Sequence, residues 1–535
     1  MRRFWNASSS ALATTCACGL VLLGFTSRLR HGYEWDELQL LHGAWNVGQG
    51  LVPYRDFFEH HPPLLQFLLA PIVRGRTEAS WPLLALLRTL ALAILVAVLG
   101  VYQRLLRSAA SLHAARWGAA ALIVVCPISG KLFELRADWL ALLALLSALL
   151  LLMPRAADEG IGAPVLAGLL GGIAVCSTQK AIPLWVAVLG WSAVRAVRAR
   201  APRRAVVLAV ASVLPPALLA LVFAWQRAAG PLYAGTILIN AHWPRELGWE
   251  WAWRQSSLAA CGPVLLALAL GARVLAGRGA GSPPEALESL LAVLAAAGAL
   301  AYLLTPTPWE QSFLFFVVPW VTGLALVALD RYAATPDALR RDAPFLVATL
   351  LLLAATLPEP ERLEILAIWS LVALAIWALL RRDQTPASRL RRAVVLMLLP
   401  GAVLFVIDRA SDLSENRVAA QAGFARAVSR ELAPGESVLV MWDHVLPFRP
   451  AATYHWFAHE GVLRLFARDG RGAPALDAEY ADAIERGSVR VVIPNPGWLD
   501  EYLPRLSDVI ARRCHLIANG YAGSDAFACA PGGRS

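Results

Sequence analysis

The feature that most constrains this chain is a succession of apolar stretches near 20 residues long, the length an α-helix needs to cross a bilayer. They run from Ala11 to Leu29, Leu83 to Leu106, Ala115 to Gly130, Trp139 to Met153, Pro164 to Thr178, Ala181 to Val197 and Ala205 to Gln226. Further windows follow from Ser256 to Leu275, Leu287 to Leu304, Ser312 to Leu329, Phe345 to Leu357, Ile365 to Leu380 and Val394 to Ile407. The expected fold class is therefore an α-helical polytopic membrane protein with about 13 transmembrane helices. Composition agrees: only 16% of residues are charged, against about 25% in soluble domains. The opening Met1-Arg2-Arg3 and its apolar window read as a first membrane anchor or as a signal peptide; the many later spans favour the anchor.

The net charge of +10 comes mostly from Arg clusters between apolar windows. With a cytoplasmic N-terminus, Arg195–Arg204, Asp330–Asp342 and Arg381–Arg392 all fall inside, as positive-inside orientation requires. Orientation accounts for the charge, so no nucleic-acid partner is expected. The outer face then receives His31–Pro71, Gly130–Asp138, Ala229–Arg254, Thr305–Gln311 and Pro358–Arg362, segments rich in carboxylates and tryptophans.

An odd span count sends the tail outside, dividing the chain into a polytopic domain at 1–410 and a small extracytoplasmic α/β domain at 411–535. In that tail Ser437–Trp442 and Val489–Asn495 have the pattern of buried strands. The segments LDAEYADAIERG and GWLDEYLPRLSDVIARR have helical spacing. Cys514 and Cys529 can pair in an oxidising compartment or remain two thiols; sequence separation does not fix their distance.

Directly after the first apolar window comes HGYEWDELQLLHGAWNVGQGLVPYRDFFEHHPPLLQFLLAP, with Glu34, Asp36, Glu37, Asp56, Glu59 and the His60–His61 pair. Leu38, Leu41, Trp45 and Val47, ended by Gly48 and Gly50, suit a short amphipathic helix at the interface. On the ordinary structural reading Asp36 is its N-cap and Glu37 complements the helix dipole. Pro53, Pro62, Pro63 and Pro71 impose turns in the second half. Glu59, His60 and His61 admit a divalent metal, but adjacent histidines lack the spacing of a strong zinc motif, so no cofactor is expected.

The order DE, amphipathic helix, then G..PY.DFFE..PP after a first span resembles the first outer loop of the GT-C superfamily of polytopic glycosyltransferases. This superfamily includes the protein O-mannosyltransferases, the lipid A aminoarabinose transferases and bacterial lipopolysaccharide glycosyltransferases. ELRAD (Glu134 to Asp138) resembles a short acidic-basic motif of the bacterial branch. The likeness is specific over about the first 140 residues and rests on hydropathy and topology beyond them.

The resemblance implies a membrane enzyme that takes a sugar from a polyprenyl-phosphate donor and passes it to a lipid, glycan or protein acceptor on the outer side, with inversion. It implies Asp36 as general base and Glu37 as its neighbour in acceptor or structural support. Donor-phosphate contacts fall on Glu59 and, less directly, His242; His60 stands where a Lys usually follows that Glu, which puts a permanent charge there in doubt. A phosphate leaving group calls for cations, and Arg88, Arg136, Lys180, Arg245 and Arg254 are the candidates, with Asp138 beside Arg136. The ordinary readings are a local pair of Arg136 with Glu134 or Asp138, and snorkelling for Arg88 and Lys180. Trp243, Trp249, Trp251 and Trp253 read as interface anchors or as a wall of the sugar site.

Two rivals belong to other classes. A transporter or lipid-carrier flippase would place ionisable groups near the midplane, often in repeated halves; here the acidic cluster lies in an outer loop and no half-to-half symmetry appears. An inactive lipid-carrier-binding protein would not need both Asp36 and Glu37.

Overall fold

The computed structural model describes residues 2–124, 130–153, 160–245, 283–334, 385–441, 445–467, 472–521 and 524–530. The expected spans at 256–275, 345–357 and 365–380, together with Trp249, Trp251, Trp253 and Arg254, lie outside the described residues.

The described chain is mostly helical. It begins with α1 (Arg2–His31), α2 (Trp35–Gly48), α3 (Leu64–Val73), α4 (Trp81–Leu106) and α5 (Leu112–Val124). A 3₁₀ turn at Gly130–Phe133 then leads to α6 (Ala137–Leu152), α7 (Gly162–Ser177), α8 (Ala181–Arg198) and α9 (Pro202–Trp225). The expected first span lies within α1, whose 30 residues extend about 45 Å at 1.5 Å per residue.

Among the described residues four helices are long and apolar enough to cross a membrane: Trp81–Leu106, Ala181–Arg198, Pro202–Trp225 and Ala286–Leu304. A fifth arises if Ser388–Leu396 and Gly401–Ser414, bent by 46°, form one span; Pro400 stands in the break, where it removes a backbone donor. Several expected spans are shorter than a hydrocarbon core. α6 and α7 have 16 residues each, about 24 Å, against about 30 Å of hydrocarbon. The expected span at 312–329 is split into Glu310–Phe316 and Val318–Ala334, because Pro319 has no N–H to continue the first helix. α7 and α9 meet backbone to backbone: a Cβ on Gly168 or Gly172 would lie 2.5 Å from the carbonyl of Leu208 or Ser212. Glycines allow that approach in place of a larger apolar contact.

After the helix Pro386–Ser414, which runs through residues 410 and 411, the chain forms a mixed α/β unit. Strands β1 (Val438–Val440), β2 (Val491–Ile493), β3 (Cys514–Tyr521) and β4 (Ser524–Cys529) form one sheet in the order β1-β2-β4-β3. β1 and β2 are parallel, joined by a crossover containing helix Pro474–Glu485; β4 is antiparallel to β2 and β3. The two short apolar strands and the helices are those expected, with Pro504 dividing the last helical segment into Pro496–Tyr502 and Pro504–Arg513. The β3–β4 hairpin was not expected: its Ala, Asn and Gly content is poor strand material. Pairing and the Cys514–Cys529 disulfide, which links directly opposed residues, hold it together.

The first loop is clamped between these parts. Leu38, Leu41, Leu65 and Leu69 pack with Leu84 and Leu87 of α4, while Phe57 and Phe58 join Leu439, Met441 and Trp456 in the core of the C-terminal unit. α2 buries Leu38 and Leu41 as its spacing predicts, but Gln39, His42 and Asn46 are buried too. The helix is therefore enclosed by protein on both faces rather than resting amphipathically on a lipid surface.

Candidate functional site

The acidic loop is built where α1 stops. Gly32, with φ +88°, reverses the chain after His31, and Glu34 becomes the N-cap of α2. Glu34 N donates to Glu37 Oε2 at 3.1 Å, closing a capping box. Asp36 sits inside the first turn, so the N-cap reading of Asp36 is corrected: Glu34 fills that place.

Adjacent helical positions point about 100° apart, and Asp36 and Glu37 use the difference. Glu37 turns inward, 1% exposed, where Oε1 accepts from the Arg88 guanidinium and from Leu135 N at 3.1 Å. Arg88, fully buried, also donates to Gly32 O at 2.6 Å and Arg28 O at 3.4 Å. It holds the α1–α2 turn rather than snorkelling. Asp36 turns outward with its side chain 43% exposed, and its Oδ2 accepts from Arg136.

ELRAD supplies the opposite wall. Glu134 bends back on Lys131, and Arg136, in extended backbone, leads into α6 at Ala137, which puts Arg136 and Asp138 beside α2. Arg136 Nη1 donates to Glu134 Oε2 at 3.0 Å, so the local pair expected for Arg136 is present alongside its bond to Asp36. Lys131 Nζ lies 3.1 Å from Glu34 and 3.7 Å from Glu134. Lys180, in the turn between α7 and α8, pairs with Asp138 at 3.1 Å rather than snorkelling.

The charges act on one another. Crowded surroundings oppose ionisation of Asp36, but the Arg136 and Lys131 cations outweigh them and hold its carboxyl well below the usual carboxylate range. Burial also opposes the charge on Arg136, and Asp36 and Glu134 more than offset it, raising its pKa. Glu37 goes the other way: burial raises its carboxyl above the ordinary range despite Arg88.

Glu59 is fully anchored. Oε1 accepts from His60 N at 2.8 Å, His61 N at 3.0 Å and His61 Nδ1 at 3.2 Å, while Oε2 accepts from Gln66. Its ligating atoms and those of His60 and His61 lie within 4.8 Å of one another, the one such group among the described residues. With both oxygens already met by N–H donors, the carboxylate is arranged as a hydrogen-bond anchor. Asn240 Nδ2 donates to His60 O at 2.8 Å, which fastens the middle loop to the first. Burial keeps His60 neutral by pushing its pKa well below the usual value, aided by His61, His459 and Lys180. Its Nδ1 is buried without a hydrogen-bond partner among the described residues.

The middle loop brings Trp243, one of the tryptophans read as anchor or wall, against the first loop. His242 ends the short helix Ile239–Ala241 with its Nδ1 on Leu238 O at 2.8 Å, exposed, and Arg245 reaches Leu303 O at 3.2 Å. Trp243, between them, stacks on His60 with ring centroids 4.8 Å apart. Sequence reasoning missed Lys131, which its i,i+3 spacing to Glu134 could have flagged, and His459. No motif marks His459; it arrives from the C-terminal unit, its ring 5.3 Å from Trp243 and 6.3 Å from His60.

No protein-family model and no curated protein matches the sequence. Solved structures do match the fold. ArnT from Cupriavidus metallidurans bound to undecaprenyl phosphate is similar over 99% of this chain and 98% of that chain, at 17% identity and a TM-score of 0.58. The apo state of the same protein matches over 98% of each chain with the same identity and score. Over nearly its whole length, then, the chain has the fold of ArnT.

Proposed function

We propose that the chain is a membrane glycosyltransferase that moves a sugar from a polyprenyl-phosphate donor to a hydroxyl of an envelope acceptor, on the outer side of the cytoplasmic membrane. One observation carries the reading. Of the clustered carboxylates of Glu34, Asp36, Glu37, Glu59, Glu134 and Asp138, only Asp36 keeps substantial exposure, and it lies against cations. The ArnT structure of the same fold, with undecaprenyl phosphate bound, supports the donor class.

Asp36 takes the proton of the acceptor hydroxyl as that oxygen attacks the anomeric carbon from the side opposite the phosphate. The bond from the anomeric carbon to the phosphate oxygen breaks, its electron pair leaves with the polyprenyl phosphate, and the sugar inverts. Arg136 and Lys180 receive the phosphate charge in surroundings where such pairing is strong. Arg136 also ties the base to the donor: bound to Asp36 it keeps the carboxylate weakly basic, and a phosphate that shares the guanidinium makes Asp36 a better base. Glu37, Arg88 and Glu59 position the loop, and Asp138 positions Lys180.

Asp36→Asn tests the assignment. Glu34 caps α2, so the substitution leaves the helix start intact. Transfer of labelled sugar from total polyprenyl-phosphate lipids should fall about 10²- to 10⁴-fold, the worth of general-base help, with the unfolding temperature near that of the wild type. Undiminished transfer would remove Asp36 from the chemistry.

A further inference from the structure

α8 and α9 leave the acidic site and return to it, and the turn between them lies far away. α8 starts beside Lys180, which pairs with Asp138, and its 18 residues carry the chain about 27 Å. α9 returns over 24 residues, about 36 Å, to Gln226, whose carbonyl accepts from Arg55 of the first loop at 2.7 Å. Both helices are long and apolar enough to cross a membrane. Their turn, at 198–203, therefore lies about one hydrocarbon thickness from the acidic site, at the opposite headgroup level.

The turn is basic, and its charge is unmet inside the protein. Arg198, Arg200 and Arg203 are exposed, and among the described residues none of them meets a carboxylate. Arg195, one helical turn earlier, is occupied: its guanidinium lies 4.7 Å over the ring of Trp191, whose Nε1 donates to Ser289 Oγ at 3.0 Å. The exposed arginines also continue two apolar stripes. Val194 stands one helical turn before Arg198 on α8, and Val206 and Val210 stand one and two turns after Arg203 on α9, all three exposed. At that spacing each arginine shares a helix face with its valines. An acyl chain laid along either stripe ends at a guanidinium.

One of these arginines sits in strained backbone. Ala201 N donates to Ala196 O at 2.8 Å and Arg200 N to Val197 O at 3.1 Å, which closes α8 in a Schellman turn with Arg200 at the left-handed position, φ +52°. Glycine fits that position without a Cβ penalty. Positive-inside orientation asks only for positive charge in the loop and gives no reason for a side chain at this point.

We propose that the α8–α9 turn binds the phosphate headgroup of an anionic phospholipid, with Arg198, Arg200 and Arg203 as donors and the exposed valines of α8 and α9 beside the acyl chains. Guanidinium groups meet phosphate oxygens with paired N–H donors, and basic residues at a membrane surface attract anionic lipid. This site is separate from the acidic one and stands whether or not the chain transfers sugar.

The test uses the full-length protein in neutral detergent, where orientation across a bilayer has no influence. Phosphatidylglycerol and phosphatidylcholine with identical acyl chains are titrated, and bound lipid is counted by native mass spectrometry. The wild type should bind phosphatidylglycerol about tenfold or more tightly than phosphatidylcholine. Arg198→Gln/Arg200→Gly/Arg203→Gln should bring the two lipids within about twofold of each other. Glycine at 200 relieves the left-handed strain, so this variant should unfold no lower than the wild type. If it fails to fold, Arg203→Gln alone, at an exposed helix start, should still weaken phosphatidylglycerol about fivefold. Equal affinity of the wild type for the two lipids, or a variant that keeps the preference, overturns the proposal. Glycerol phosphate, the headgroup without its chains, separates the sources: failure to displace phosphatidylglycerol at equal concentration supports a lipid site, and full displacement would make it a soluble-phosphate site and overturn the lipid assignment.

Discussion

The indole N–H of Trp456 donates to the carbonyl of Phe58 at 2.9 Å, joining residues 398 positions apart and fastening the C-terminal unit to the loop that carries the acidic cluster. Both residues are buried in one apolar cluster. Trp456→Phe keeps an aromatic ring and deletes the donor, leaving a buried carbonyl without it at a cost of about 1 to 3 kcal/mol. The unfolding temperature should fall by a few degrees and limited proteolysis of the C-terminal unit should quicken. An unchanged cleavage rate would mean that this bond does not hold the unit in place.

The Arg136–Asp36 pair sets the acidic limb of the pH–rate profile. A cation beside a carboxylate favours its charged form, so the wild-type limb should lie below the ordinary Asp range, as the depressed Asp36 pKa requires. Arg136→Gln withdraws the cation, raises the Asp36 pKa and should move the limb to higher pH while lowering the rate. The profile of kcat/KM against pH is the measurement; a limb that stays where it was, at reduced rate, would confine Arg136 to the phosphate.

Glu37 and Arg88 form a buried pair at the α1–α2 turn. Arg88→Met leaves the Glu37 carboxylate buried beside Glu134 without its counter-charge, and breaking one side of such a pair costs about 3 to 5 kcal/mol. We expect little monodisperse protein from Arg88→Met and partial recovery with Arg88→Met/Glu37→Gln. Normal yield of the single variant would show that the turn does not depend on this pair.

Orientation and redox state are tested together. A periplasm-active reporter fused after Ser535 should be active, and denatured, unreduced protein should resist alkylation at Cys514 and Cys529, which form a disulfide across β3 and β4. A reporter active only in the cytoplasm would place the proposed site on the wrong side.

Much of this protein is decided locally. Apolar windows of bilayer length, the turn residues of the first loop and the short strands 438–440 and 491–493 follow from neighbouring residues, because helix and strand periods are properties of contiguous sequence. The first-loop motif likewise pointed to Asp36 and Glu37 as the pair of interest. It ranked Asp36 first and Glu37 as its neighbour, but the physical difference lies in what each faces: Glu37 meets Arg88 from α4, and Asp36 meets Arg136 at the start of α6. Arg88 and Lys180 read as phosphate contacts or as snorkelling cations until packing supplied Glu37 and Asp138 as partners. His459 carries no signal at all in sequence, because it reaches His60 only through packing of the C-terminal unit, and the stacking of Trp243 on His60 likewise shows only in the fold. Short-range periodicity specifies the elements, whereas which charge is buried, which is met and which stays reachable depends on side chains brought together from distant segments by packing and desolvation.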